Sequence, residues 1–219
     1  MPKGNAALIQ GRFGTKGNFE LVVPLTTGGI AHYWRDNDGS MAWNGPTVFG
    51  TSADQINGVA LLQSTFGNPG NLEVIATAGS NVNQSLLHFW RDNSGWHGPT
   101  TVPLPWSSNS TGPDGVPAFI QAANGDFHVV FGGTGTLKHL RRDNSDQAQP
   151  WVPIVTFGGR PATGHSAVGL IQSSFGTPGN LEVIGRKSDP GPGVTHINHD
   201  WREFGDQAAW NGPGPDLLS

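Results

Sequence analysis

The chain has no cysteine, two methionines, one tyrosine and few charges: Asp, Glu, Lys and Arg make up 13% of its 219 residues, against about 25% in ordinary globular proteins. Without cysteine there is no disulfide, no thiolate metal site and no Cys nucleophile; such a chain suits a reducing interior. Twelve basic against sixteen acidic residues give a net charge of -4. That leaves no basic excess to neutralise phosphates, so nucleic acid is not an expected partner. No apolar run approaches the roughly 18 residues of a membrane span, so membrane insertion is not expected either. The N-terminus, MPKGNAALIQGRFG, lacks the charged and apolar regions of a secretory signal. This points to a cytoplasmic protein or one released by a non-classical route, and leaves the compartment open. The sequons at Asn83 and Asn109 then read as chance.

What the chain has is glycine (33) and proline (17), about 23% together where about 12% is usual. Both are poor helix residues, so the composition favours short strands joined by tight turns. Internal repetition carries more. An apolar segment ending near Gln recurs as AALIQGRFG (6–14), ALLQSTFG (60–67), AFIQAANG (118–125) and GLIQSSFG (169–176). A Gly-led segment follows each: GNFELVV, GNLEVIA, GDFHVVF and GNLEVIG, with the Gly at 17, 70, 125 and 179. Next come the His-led runs HYWRDN (32–37), HFWRDN (88–93), HLRRDN (139–144) and HINHDW (196–201). Trp segments close each copy: WNGPTVF (43–49), WHGPTTV (96–102), WVPIVTF (151–157) and WNGPGPD (210–216). Four motifs in one order, four times, define four repeats at approximately 6–57, 58–115, 116–166 and 167–219.

Each motif reads as a strand, rich in β-branched and aromatic residues and bounded by Gly, Asn, Asp and Pro. Asp36-Asn37-Asp38-Gly39 and Asp92-Asn93-Ser94-Gly95 are hairpin turns. No stretch sustains a helical apolar period, so helices should be almost absent. One repeat is then a four-stranded antiparallel meander, apolar on both faces, which must bury itself against neighbours. The expected fold is all-β: a four-bladed β-propeller forming one domain over residues 1–219. A half-ring completed by a second copy and a β-sandwich are the alternatives.

In size and blade number the chain resembles the hemopexin-type four-bladed propellers, although it lacks the disulfide that usually joins their first and last blades. In its tandem, cysteine-free, Gly- and Trp-rich repeats it is similar to the small β-propeller lectins of fungi and bacteria. The second resemblance implies carbohydrate binding, one site per blade or inter-blade groove. The first implies a structural cation in a central channel.

Four residue types occur in every copy: Gln10/Gln63/Gln121/Gln172, His32/His88/His139/His196, Asp36/Asp92/Asp143/Asp200 and Trp43/Trp96/Trp151/Trp210. His and Asp are four apart, hence on one strand face. They either lock blades and turns or form four equivalent ligand sites; the Trp residues either pack between blades or join those sites. The Gln set suits the innermost strand, lining a channel. Asp36–Gly39 makes a turn better than a calcium loop, since no bidentate Glu follows at the required spacing. His196 and His199, three apart on a strand, make a poor zinc pair, and no metal or cofactor is required.

Two residues after the His stand Trp34, Trp90, Arg141 and Asn198; next come Arg35, Arg91, Arg142 and His199. The second strand carries Glu20, Glu73, His128 and Glu182. Aromatic faces, guanidinium groups and carboxylates together make a sugar site, since C–H faces of a sugar stack on Trp while its hydroxyls take bonds from Arg and carboxylate. The candidate sugar-binding set is Trp34, Arg35, Trp90, Arg91, Arg142, Glu20, Glu73, Trp43, Trp96, Trp151 and Trp210. The unique segment Pro105–Pro117 reads as a surface loop with Trp106 as a candidate lid. No pair of acids stands out for glycoside hydrolysis and no Ser nucleophile motif occurs. The expectation is a non-enzymatic, multivalent lectin, monomeric or a small homo-oligomer, with glycans or glycoconjugates as partners. The alternatives are a protein-interaction scaffold or toxin-associated binding module and, least favoured, a glycan-processing enzyme.

Overall fold

Alternation of apolar and polar residues, with Gly and Pro between, folds the chain into strands throughout. The computed structural model describes every residue except 54, 81–83, 105–113, 134–135, 159–163, 189–194, 206–207, 215 and 219. Among the described residues there is no helix, and hence none long and apolar enough to cross a membrane. Trp106, Asn83 and Asn109 lie outside the described residues. Part of the expected surface loop is strand, because β9 begins at Asp114.

The first repeat forms β1 (Ala7–Gln10), β2 (Phe19–Pro24), β3 (Ile30–Arg35) and β4 (Trp43–Phe49). The second forms β5 (Ile56–Gln63), β6 (Leu72–Ala78), β7 (Ser85–Asp92) and β8 (Gly95–Val102). The third forms β9 (Asp114–Gln121), β10 (Phe127–Gly133), β11 (Thr136–Arg142) and β12 (Trp151–Phe157). Each is an antiparallel sheet with its strands in sequence order, which makes it a propeller blade. The fourth repeat departs: β13 (Gly164–Gln172), β14 (Leu181–Ser188) and β15 (Thr195–Arg202) form a three-stranded sheet. Its expected outer strand is reduced to a bridge between Trp201 and Asn211, continued by bonds from Gly214 N–H to His199 and from Leu217 N–H to Ile197.

The outer strands β4 and β8 accommodate their Gly-Pro step with a bulge. In β4, Gly45-Pro46 lies between the pairs His32↔Thr47 and Trp34↔Asn44; in β8, Gly98-Pro99 lies between His88↔Thr100 and Trp90↔His97. Glycine is required there: Gly98 has φ +101°, and a Cβ would stand 2.8 Å from the His88 carbonyl oxygen, a left-handed and crowded position.

The chain divides into two compact units, Met1–Val102 and Pro103–Ser219, with two blades in each. In the first unit Val22, Ile30 and Phe49 of one blade share a core with Ile56, Leu72, Val74, Leu87 and Phe89 of the next. In the second, Val130, Leu137 and Phe157 pack with Leu170, Leu181 and Val183. An apolar-faced sheet thus gains burial from its neighbour, at roughly 25 cal/mol per Å² of apolar surface removed from water.

Candidate functional site

Strand register decides which side chains meet. Glu20 pairs with Trp34 and Val22 with His32; residues directly opposite in a sheet lie on one face. Glu20, His32 and Trp34 therefore share a face, while Arg35, one residue on, turns to the other with its partner Trp43. The Trp–Arg dipeptides expected to act together point to opposite sides of each blade. What comes together is the Glu–His–Trp face of one blade and the Arg–Trp face of the next.

In the first unit this joint is built around Trp96. Its indole stacks on Phe49 (3.8 Å between ring centroids, 4° between planes) and stands edge-on to His32. Its Nε1–H donates to Nδ1 of His32 at 3.4 Å. The proton of a neutral His32 is then on Nε2, which donates to Glu20 at 2.7 Å. Both partners are buried. The second blade repeats the pair with His88 and Glu73 at 2.8 Å, also buried, and Glu73 accepts a further bond from Ser64 Oγ at 3.0 Å. The structure thus places Glu20 in this joint and makes both Glu20 and Glu73 buried partners of histidine.

Between the blades of the first unit runs a groove of about 470 Å³ lined by Val48, Phe49, Phe89, Arg91, Trp96 and His97 among others. Arg91 and Trp96 of the candidate set meet here, one from β7 and one from β8. Trp90 stacks on His97 (5.1 Å, 16°). Trp34 (37% exposed) and Trp43 (47%) remain open to solvent. Arg35 and Arg142 lie over Phe19 and Phe127 of their own blades and bond Asn37 and Asn144, which fixes them against the sheet. Trp151 opposite Arg142 is half-buried.

The second unit keeps the aromatic joint: Trp210 stacks on Phe157 (4.1 Å, 5°) and stands edge-on to His139. Its polar part differs. His128 occupies the position of Glu20 and Glu73, and its Nδ1 is 2.9 Å from Nε2 of His139. Arg202 reaches Nδ1 of His139 at 3.3 Å. Burial, with Arg141 and Arg202 adding, pushes the His128 imidazole down to about 3, and the buried His139 well below its usual value. Both are neutral at pH 7.

The fourth copy is also registered differently from the sequence alignment. Glu182 pairs with Trp201 and Ile184 with His199, so the repeated His is His199 rather than His196. The pair His199–Glu182 at 2.8 Å confirms it. Trp201 and Arg202 are the counterparts of Trp34 and Arg35, and Asp200 takes the place of Phe89 or Leu140. His196 instead bonds Asp216. HINHDW mimics the His-led motif three residues early; the WR dipeptide at 201–202, matching 34–35 and 90–91, was the available signal for His199, Trp201 and Arg202.

The remaining repeated residues serve the frame. Gln10, Gln63, Gln121 and Gln172 each donate to a carbonyl of the following loop, at Lys16, Gly70, Gly125 and Gly179. The carbonyl oxygens of Gln63 and Gln172 accept from the backbone N–H groups of Arg12 and Ala123 in the preceding blades. Asp36, Asp92 and Asp143 accept backbone N–H groups two residues on, at 2.7–3.0 Å, holding their turns. Among the described residues no group of three or more His, Asp or Glu side chains converges to hold a metal.

No protein-family model matches the chain, and no curated protein matches it. Solved structures do. A lectin from Burkholderia pseudomallei aligns over 98% of this chain and 56% of its own, at 22% identity and a TM-score of 0.66. The Aleuria aurantia lectin, a six-bladed β-propeller with a fucose recognition mode of its own, aligns over 97% of this chain and 61% of its own, at 15% identity and a TM-score of 0.63. An α-L-arabinofuranosidase from Clostridium thermocellum aligns over 90% of this chain, at 11% identity and a TM-score of 0.56. The chain therefore spans about three fifths of the lectins it matches. The likeness shows the fold, an all-β propeller with four blades in this chain.

Proposed function

We propose that this protein is a non-enzymatic carbohydrate-binding protein whose sugar sites lie in grooves between blades. The observation that carries the reading is the groove of the first unit, where Trp96, Arg91 and His97 border one recess. An indole face suits the C–H side of a pyranose, and a guanidinium suits two adjacent hydroxyls. Exposed Trp34 and Trp43 offer further stacking surfaces. The solved lectins of like fold support the same reading.

Related sites repeated along the chain suit multivalent capture of glycans, in which weak individual contacts multiply in avidity. The hydrolase neighbour keeps an enzymatic reading in view. Such chemistry needs two carboxyl groups facing one bond. Glu20, Glu73 and Glu182 are each engaged by a histidine of their own blade, which favours binding over turnover. A glycan array with hemagglutination and sugar competition tests the proposal. Binding to a related family of glycans, competed by the free sugar and weakened by Arg91→Ala, is the expected result; a flat array at high protein concentration overturns it.

A further inference from the structure

The joint of the second unit contains a hydrogen-bond relay that, among the described residues, ends on no protein atom. Arg202 has only donors, so its contact with His139 makes Nδ1 of that ring the acceptor. The proton of neutral His139 is then on Nε2, and it donates to Nδ1 of His128. The proton of neutral His128 is thereby left on its own Nε2. That nitrogen is buried and, among the described residues, has no hydrogen-bond partner; the residue is 4% exposed. His128 lines a partly open recess of about 180 Å³, together with His139, Arg141, Ile154, Leu181, Arg202 and Phe204. The Trp210 indole N–H, standing over His139, is likewise buried without a partner. Leaving such a donor unsatisfied costs about 1–3 kcal/mol.

The other blades show what the relay is missing. In the first unit it runs from Trp96 through His32 and ends on the Glu20 carboxylate. His88 ends on Glu73 and His199 on Glu182. Only the third blade lacks the carboxylate, and its histidine pair ends in a buried N–H on a residue that lines the recess. Arg141, on the same wall, is paired with Asp126 at 3.4 Å and Asp143 at 3.2 Å, while Asp200 lies on the facing blade.

We infer that the recess between the third and fourth blades binds a carboxylate-bearing sugar, the ligand's carboxylate accepting from Nε2 of His128 and so ending the relay, one group beyond His128, as a glutamate ends it in the other three blades. The apolar wall of Ile154, Leu181 and Phe204 faces the sugar ring. The inference rests on the lectin reading and assigns this one site its ligand class.

Isothermal titration of the whole chain with sodium glucuronate, glucose and sodium acetate tests it. Glucuronate should bind at least about tenfold more tightly than either of the others, because carboxylate and ring are both used. His128→Glu, which restores the pairing of the other blades, and His128→Phe, which keeps the ring without the donor, should each weaken glucuronate binding about tenfold or more while leaving array responses to neutral glycans unchanged. Glucuronate binding no tighter than glucose, acetate matching glucuronate, or wild-type affinity in a folded variant overturns the assignment. Neutral-glycan binding without a glucuronate preference sinks this inference alone, whereas a flat array sinks the broader function.

Discussion

The joints of the two units share one aromatic device and differ in what they bury beneath it. Trp96 on Phe49 and Trp210 on Phe157 are parallel stacks of closely similar spacing, each edge-on to a histidine. Below Trp96 lies a closed His–Glu pair; below Trp210 lie two neutral histidines and an arginine. The aromatic stack is what holds two blades together, and the polar group beneath it can change without altering the joint.

If so, the largest loss should come from the stack itself. Trp96→Ala removes an indole packed on Phe49 and a donor to His32, and should destabilise the first unit by about 3 kcal/mol, at the lower end for aromatic truncations because the indole is only half-buried. Trp210→Ala should cost less than Trp96→Ala, since its N–H has no partner to strand. Chemical denaturation of the two variants checks the order; equal losses would mean that the hydrogen bond to His32 adds nothing.

The polar groups come next. Glu20→Ala leaves Nε2–H of His32 buried and unpaired, at a cost of about 2 kcal/mol. His128→Glu gives the third blade the pair of its neighbours and should change stability by less than about 1 kcal/mol. A large loss in the second variant would show that the histidine pair is structural rather than held ready for a ligand.

Acid should also separate the units. Burial pushes the Asp200 carboxyl up from 3.8 to about 6. Between those values the folded chain keeps a proton that the unfolded chain has released, so this group's contribution falls as pH rises through the window. His128 acts in the opposite sense: its value falls from 6.5 to about 3, so below pH 6.5 the unfolded chain takes up a proton that the folded chain refuses, and stability declines with falling pH. Asp200→Asn should therefore stabilise the second unit at pH 7, on the order of 2 kcal/mol, and have no effect below pH 4. His128→Phe should flatten the acid limb between pH 6.5 and 4. Thermal melts across pH 4–8 read both; an Asp200→Asn effect independent of pH would exclude burial of the charge as its cause.

Most of the frame was legible in the sequence because it is local. The Gly-led β6 and the DNSG hairpin closing β7 onto β8 are set by turn chemistry and alternation, and both fold as the repeats imply. The joints were not legible, because their partners lie about one repeat apart. In HFWRDN strand alternation alone puts Trp90 and Arg91 on opposite faces; which side chains Trp96 meets follows only from the packing of the blades. The fourth copy is misaligned for a related reason, since His196 and His199 both sit in a β-favouring run, and the Trp201-Arg202 dipeptide and the pairing with Glu182 tell them apart. His128 looked like mere variation until His139 was found beside it.

The smallest effect concerns two tryptophans at one register position. Trp43 pairs with Arg35 and Trp96 with Arg91, yet Trp43 is 47% exposed while Trp96 is stacked in a joint. An indole that shields little apolar surface contributes little to folding, so Trp43→Ala should shift stability by less than about 1 kcal/mol. An exposed indole face is also what a pyranose stacks on. If Trp43 serves that purpose, its removal should lower glycan-array signals with the melting temperature unchanged, whereas Trp96→Ala lowers both. A Trp43→Ala variant that melts early would place this residue in the frame with Trp96 and leave the stacking role to Trp34.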